Sequence, residues 1–162
     1  VTLLLYRIDD RLLHGQVVVG WGQPLDIDFL VLVDDTVAGS DWEQDLYRMG
    51  VPPEMKVDFL TTADAIAAIP GYRASSGRGI LLTGDIATMR RIVDGASIEA
   101  VNIGGIHSGT GRVQKLRYVF LSPDEERQLR ELAASGAKVT AQDVPGARPV
   151  ALDDLLAGAE LT

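Results

Sequence analysis

Ten residues near the start of the chain, Arg7-Ile8-Asp9-Asp10-Arg11-Leu12-Leu13-His14-Gly15-Gln16, hold the combination best suited to group transfer. A neutral imidazole can attack phosphorus, and a guanidinium can grip phosphoryl oxygens through a planar fork that lysine does not reproduce. His14 is therefore the candidate nucleophile, and Arg11, three residues before it, the group that steadies the transferred charge. Gly15 lets the backbone approach phosphoryl oxygens, and Gln16 stands where a helix can begin and add an N–H to the cradle. Asp9 and Asp10 could orient His14 or Arg11. A carboxylate turned toward phosphate would repel it, so at least one of the two should face elsewhere. A second functional option is a histidine acting as general base, and the bland reading is a packed or solvated histidine beside aspartates that cap a turn.

The elements around this run decide whether it can form a site. Leu3 to Ile8 reads as a strand and Gln16 to Trp21 as the opening of a helix, which puts His14 in a loop at a strand's carboxyl end. Phe29–Val33, Lys56–Leu60, Gly79–Thr83, Ala100–Ile103, Tyr118–Leu121 and Lys138–Ala141 read as further strands, Tyr118–Leu121 as a sheet edge. Between them fall helices over Asp41–Met49, from Thr62 to a stop at Pro70-Gly71, and from Ile86 to a stop at Gly95. Ser122-Pro123-Asp124-Glu125 is a capping box opening a helix to Ala134, and Leu152–Leu156 reads as a terminal helix. Continuous apolar strands alternating with helices predict a single α/β domain over 1–162. Its sheet is open, twisted and mostly parallel, has helices on both faces, and leaves room for an antiparallel edge strand. In such sheets the loops at the carboxyl ends of strands form the functional crevice.

The 162 residues are 46% apolar and carry a formal charge of −8, enough core for one domain and the wrong sign for a general nucleic-acid partner. Without cysteine there is no disulfide or thiolate chemistry, which fits a cytoplasmic setting. No run approaches the roughly 18 apolar residues that cross a bilayer, and the opening residues lack a signal-like pattern, so membrane work would fall to a partner.

Other segments carry weaker signals. Gly104, Gly105, His107 and Ser108 belong to a glycine-rich run ending at Gly111. It lacks the Walker spacing and completes no dinucleotide fingerprint, so it reads as a rim of the His14 pocket or a partner-contact loop. Asp34 and Asp35 close a strand and can cap the next segment or pair with Arg11. Thr83-Gly84-Asp85 stands at another strand end. Two histidines without a clear carboxylate partner are sparse metal ligands, so neither a metal nor another cofactor is expected. Trp21 reads as packing and Trp42 as partly exposed at an interface; the exposed apolar positions leave a homo-oligomer open.

The opening run through Val17 resembles the IIB subunits of the mannose/fructose/sorbose family of the bacterial phosphoenolpyruvate-dependent sugar phosphotransferase system. The resemblance extends through Val31-Leu32-Val33-Asp34-Asp35, Lys56-Val57-Asp58-Phe59-Leu60 and Val101-Asn102-Ile103-Gly104-Gly105, in the family's order. It implies a sugar phosphotransferase whose His14, usually at Nδ1, accepts phosphate from the phosphohistidine of a IIA protein. His14 then passes it to a sugar held by the membrane subunits IIC and IID, with Arg11 stabilising the oxygens. It also implies a cytoplasmic protein attached peripherally to the inner membrane face through that permease. The competing functions are a regulatory relay or binding module that never completes transfer to sugar, and a small nucleotide-binding enzyme.

Overall fold

In a computed structural model, residues 2–158 are described. The chain opens with strand β1 (Leu3–Asp9) and a π-helix (Gln16–Trp21). Strand β2 (Phe29–Val33) leads to helices α1 (Asp35–Ala38) and α2 (Asp41–Met49), then β3 (Lys56–Leu60) and α3 (Thr62–Ala74). Strand β4 (Gly79–Thr83), α4 (Ile86–Ala96) and β5 (Ala100–Gly105) follow. Strands β6 (Val113–Leu116) and β7 (Val119–Leu121), α5 (Pro123–Ala134), β8 (Lys138–Ala141), β9 (Val150–Ala151) and α6 (Leu152–Ala157) complete the described part.

Seven strands form one sheet in the order β3-β2-β4-β1-β5-β8-β9, all parallel except the β8–β9 pairing. The apolar runs of β2 and β4 explain its burial on both sides. Val31, Val33 and Leu81 point into a rear core with Ala65 and Ile69 of α3, Met89 and Ile92 of α4, and Leu129 of α5. Leu30, Leu32, Ile80 and Leu82 point into a front core with Val17, Val18 and Trp21 of the π-helix and Val37 of α1. Side chains alternate across a strand, so a strand packed on both faces must be apolar at every position.

The mixed, mostly parallel sheet with helices on either side agrees with the sequence reading, and several details depart from it. Tyr118–Leu121 does not edge the main sheet: β7 pairs antiparallel with β6 in a separate two-stranded ribbon. The antiparallel edge is β9, immediately after the Pro145–Pro149 loop. Helix α3 runs through Pro70-Gly71, because its last turn is anchored from outside. The Tyr72 ring stacks on Phe29 with centroids 5.3 Å apart, and its hydroxyl donates to Asp58 Oδ2 at 2.6 Å. Gly95 does not stop α4, which reaches Ala96 before Ser97 turns left-handed at φ 54°. The glycine is there for packing: a Cβ at 95 would come within 2.9 Å of Ile66 Cγ2 on α3. Gln16–Trp21 is wound wider than the expected α-helix, with the Gly22 N–H reaching back to Val17 O. A Cβ at 22 would fall 2.1 Å from Val18 O, so glycine permits this exit.

Candidate active site

β1 lies in the middle of the sheet between β4 and β5, and from its carboxyl end the chain crosses the front face toward β2. After β5 it continues toward β8 by way of α5, which packs in the rear core. Departures on opposite faces of neighbouring strands open a crevice, the usual ligand position in an open α/β sheet. The β1–β5 register is irregular at the same end, between Ile8 and Asp9.

Asp9, the last residue of β1, is fully buried and organises the loop. Its Oδ1 accepts from the Arg11 backbone N–H at 3.1 Å and from Arg11 Nε at 2.9 Å. Its Oδ2 accepts from Arg11 Nη2 at 2.9 Å and contacts His14 Nε2 at 3.0 Å. Burial alone would raise the Asp9 pKa, but the hydrogen bonds from His14 and Arg11 outweigh it and hold the carboxyl down at about 2. An ionised carboxylate only accepts, so His14 Nε2 carries a hydrogen in this contact, and in the neutral ring the lone pair is then on Nδ1. The His14 side chain is 19% exposed. Arg11, 34% exposed, uses Nε and Nη2 on Asp9, which leaves Nη1 for a ligand oxygen.

Behind this pair stands Arg7, completely buried. It donates from Nη1 to Asn102 Oδ1 at 2.5 Å and Gln142 O at 2.8 Å, and from Nη2 to Asp143 O at 3.0 Å and Asp9 Oδ2 at 3.4 Å. Its guanidinium lies 4.9 Å from the Trp21 ring centroid, and the Trp21 indole N–H donates to Asp143 O at 2.9 Å. Burial pushes the Arg7 pKa down to about 10, with the Asp9 charge opposing, so it stays cationic at neutral pH. Gly104 is flat against it: a Cβ there would lie 1.9 Å from Arg7 Cζ. Gly105 faces Arg11 and Asp9, each within 3.2 Å of where a Cβ would be. Asn102 is the residue that sequence reasoning passed over as a pocket member; Arg7, which the sequence pairs with Arg11 as a candidate basic pocket, is the buried support of that pocket. For Arg7 the signal was a charge inside a largely apolar strand, which is costly there unless it is paired and hydrogen-bonded.

Leu12 holds φ at 59°, a left-handed conformation uncommon for leucine. Its side chain fills the space above Gly84, where a Cβ would come within 2.9 Å of Leu12 Cδ2. Gly15, with φ −54°, is backbone any residue could adopt, and nothing lies within 4 Å of a Cβ placed on it. The Gln16 Oε1 is buried without a hydrogen-bond partner.

Asp10 faces away from His14 and ties down the glycine-rich run. Its N–H donates to Gly105 O at 3.0 Å, its Oδ2 accepts from the His107 N–H at 2.7 Å, and its Oδ1 lies 2.5 Å from His107 Nδ1. Arg112 reaches His107 O at 2.9 Å and pairs through two N–H groups with Glu125, the capping-box residue of α5. Ser108 is exposed. Asp34 caps α1, accepting from the Thr36 and Val37 N–H groups, and Asp35 accepts from Thr62 N–H at 2.7 Å. Arg11 therefore takes its carboxylate from Asp9, not from Asp34 or Asp35. Among the described residues no group of three or more His, Cys, Asp or Glu side chains is placed to hold a metal ion, and no helix is long and apolar enough to cross a membrane.

Residues 3–162 match the family model described as the sorbose subfamily IIB component of the phosphotransferase system. The chain belongs to this family. This IIB component is 36% identical over 149 residues to the N-acetylgalactosamine-specific phosphotransferase enzyme IIB component 1 of Escherichia coli K12, covering 90% of this chain and 92% of that one. It is 31% identical over 143 residues to the sorbose-specific EIIB component of Lacticaseibacillus casei, covering 86% and 85%. Its fold superposes on the crystal structure of the IIBSor domain of the Klebsiella pneumoniae sorbose permease with a TM-score of 0.86 at 28% identity, covering 97% and 98%. Membership places this IIB component among the phosphotransferase proteins of sugar transport.

Proposed function

We propose that the chain, as one IIB domain, carries a phosphoryl group on His14 Nδ1 between a phosphorylated IIA protein and a sugar bound by a IIC/IID membrane permease. The observation that carries this reading is the Asp9 Oδ2 contact to His14 Nε2 at 3.0 Å, which favours the tautomer with its hydrogen on Nε2 and its lone pair on Nδ1. In the first half-reaction the N–P bond of the donor histidine breaks as a His14 Nδ1–P bond forms. In the second, that bond breaks as a sugar hydroxyl oxygen attacks phosphorus, and the hydroxyl proton passes to a base on the permease. Arg11 Nη1 and the backbone N–H groups of Gly15 and Gln16 surround the phosphoryl oxygens in both steps; those of Val17 and Val18 already donate to His14 O. One cradle serving both directions should favour the spread oxygen charge shared by the two transition states over the loaded ground state. No metal or other cofactor enters this scheme. The protein would work on the cytoplasmic side, held at the membrane through the permease.

The test is transfer from phosphorylated IIA to wild-type protein and to His14→Ala, then a chase with IIC/IID and candidate sugars. N-acetylgalactosamine and sorbose lead the candidates, since they name the specificity of the relatives. Acid-labile label on the wild type, absent from His14→Ala and chased into sugar, is the expected result. Undiminished label on the variant overturns the His14 assignment. Label that no sugar removes under working permease conditions points to a regulatory relay.

A further inference from the structure

Helix α2 is mounted with its apolar stripe outward. Trp42, Leu46 and Met49 follow each other at helical spacing and are 69%, 58% and 83% exposed. The opposite face, which meets the protein, is polar: Glu43 and Gln44 are partly buried, with Tyr47 packed on the front core. Gln44 anchors the helix by donating to Val37 O at 3.0 Å and Ala38 O at 3.1 Å, and the Arg48 guanidinium lies 4.9 Å from the Phe59 ring centroid. A helix held by polar contacts that leaves a tryptophan, a leucine and a methionine in water has the composition of an interface centre.

We infer that the Trp42-Leu46-Met49 face of α2 is a docking surface for the cytoplasmic loops of the membrane permease. The inference rests on the carrier reading for the existence of that partner, and charge decides among the occupants. Exposed Asp41 and Asp45 flank the stripe, Glu54 is exposed on the segment after α2, and the one arginine of the helix, Arg48, is already paired with Asp45 at 3.6 Å. A two-fold contact with a second copy of this chain would bring together two faces of the same acidic character. An anionic lipid surface would repel them. Cytoplasmic loops of membrane proteins carry an excess of lysine and arginine, which complements an apolar stripe with acidic flanks. The π-helix that follows His14 packs in the same front core as Tyr47, which puts α2 and that helix on one face of the sheet. The stripe thus gives the second partner a grip outside the His14 loop.

The test measures binding of the full chain to nanodiscs holding its cognate IIC/IID pair, without phosphate, so the surface and the carrier reading can fail separately. Trp42→Ala/Leu46→Ser should raise Kd about tenfold or more. Its thermal unfolding and its rate of labelling by phospho-IIA should match wild type. Asp41→Asn/Asp45→Asn should flatten the salt dependence of wild-type binding. Equal affinity of wild type and the apolar double variant overturns the proposal, as does wild-type protein that fails to bind the nanodiscs. An equal loss in the IIA step would assign the stripe to IIA instead. A concentration-dependent dimer abolished by the double variant would assign it to a second copy. If phospho-IIA does not label His14, the carrier reading falls while the binding measurement still decides the role of α2.

Discussion

Asp9 sets the behaviour of the loop through its charge. Its folded pKa of about 2 lies below the ordinary value of 3.8, so its ionisation stabilises the fold fully above about pH 4, and that stabilisation disappears as pH falls toward 2. The contribution is on the order of 2 kcal/mol. Urea denaturation at pH 7, 4 and 2 should show that loss, and Asp9→Asn should remove this part of the acid limb. Asp9→Asn also leaves Arg7 and Arg11 without their countercharge, so at pH 7 it should cost about 3–5 kcal/mol. Arg11→Lys keeps the charge but cannot hold Asp9 with two N–H groups while offering a third to phosphate. Both half-reactions should slow roughly a hundredfold in rapid-quench assays, and an unchanged rate would reject Arg11 as the stabilising group.

Two glycines separate what the fold requires from what the site requires. Gly104→Ala drives a Cβ into the buried Arg7 guanidinium and should destabilise by about 1–3 kcal/mol in calorimetry. Gly15→Ala meets no neighbour and has an ordinary φ, so Tm should hold or rise slightly while phosphoryl transfer slows from the filled space. The sheet was legible because β2 is apolar at every position and β4 carries the apolar run Ile80-Leu81-Leu82, the mark of strands covered on both faces, and because Ser122-Pro123-Asp124-Glu125 fixes the start of α5. The ends of α3 and α4 were not legible, since Pro70 and Gly95 are tolerated through contacts of Tyr72 and Ile66 made by other elements. Within the loop, residue types and order were readable. The division of labour between Asp9, facing His14, and Asp10, facing His107, depends on the strand's last register step and on the turn at Leu12. The ties of Arg7 to Gln142 and Asp143 span more than 130 positions of sequence, beyond the reach of any local pattern.

At the scale of the molecule, a chain of formal charge −8 concentrates two arginines at the end of its central strand. Arg7 and Arg11 against Asp9 leave the empty pocket with one net positive charge. A phosphoryl group would bring close to two negative charges, so loading would invert the local sign. On the carrier reading, the empty form would draw an anionic donor group inward, and the loaded form would favour a basic surface that takes the group away. The carrier would thus alternate in electrical polarity with its cargo, choosing its next partner by sign. Native electrophoresis of phosphorylated and unphosphorylated protein should show the step as a faster anodic band that vanishes with His14→Ala.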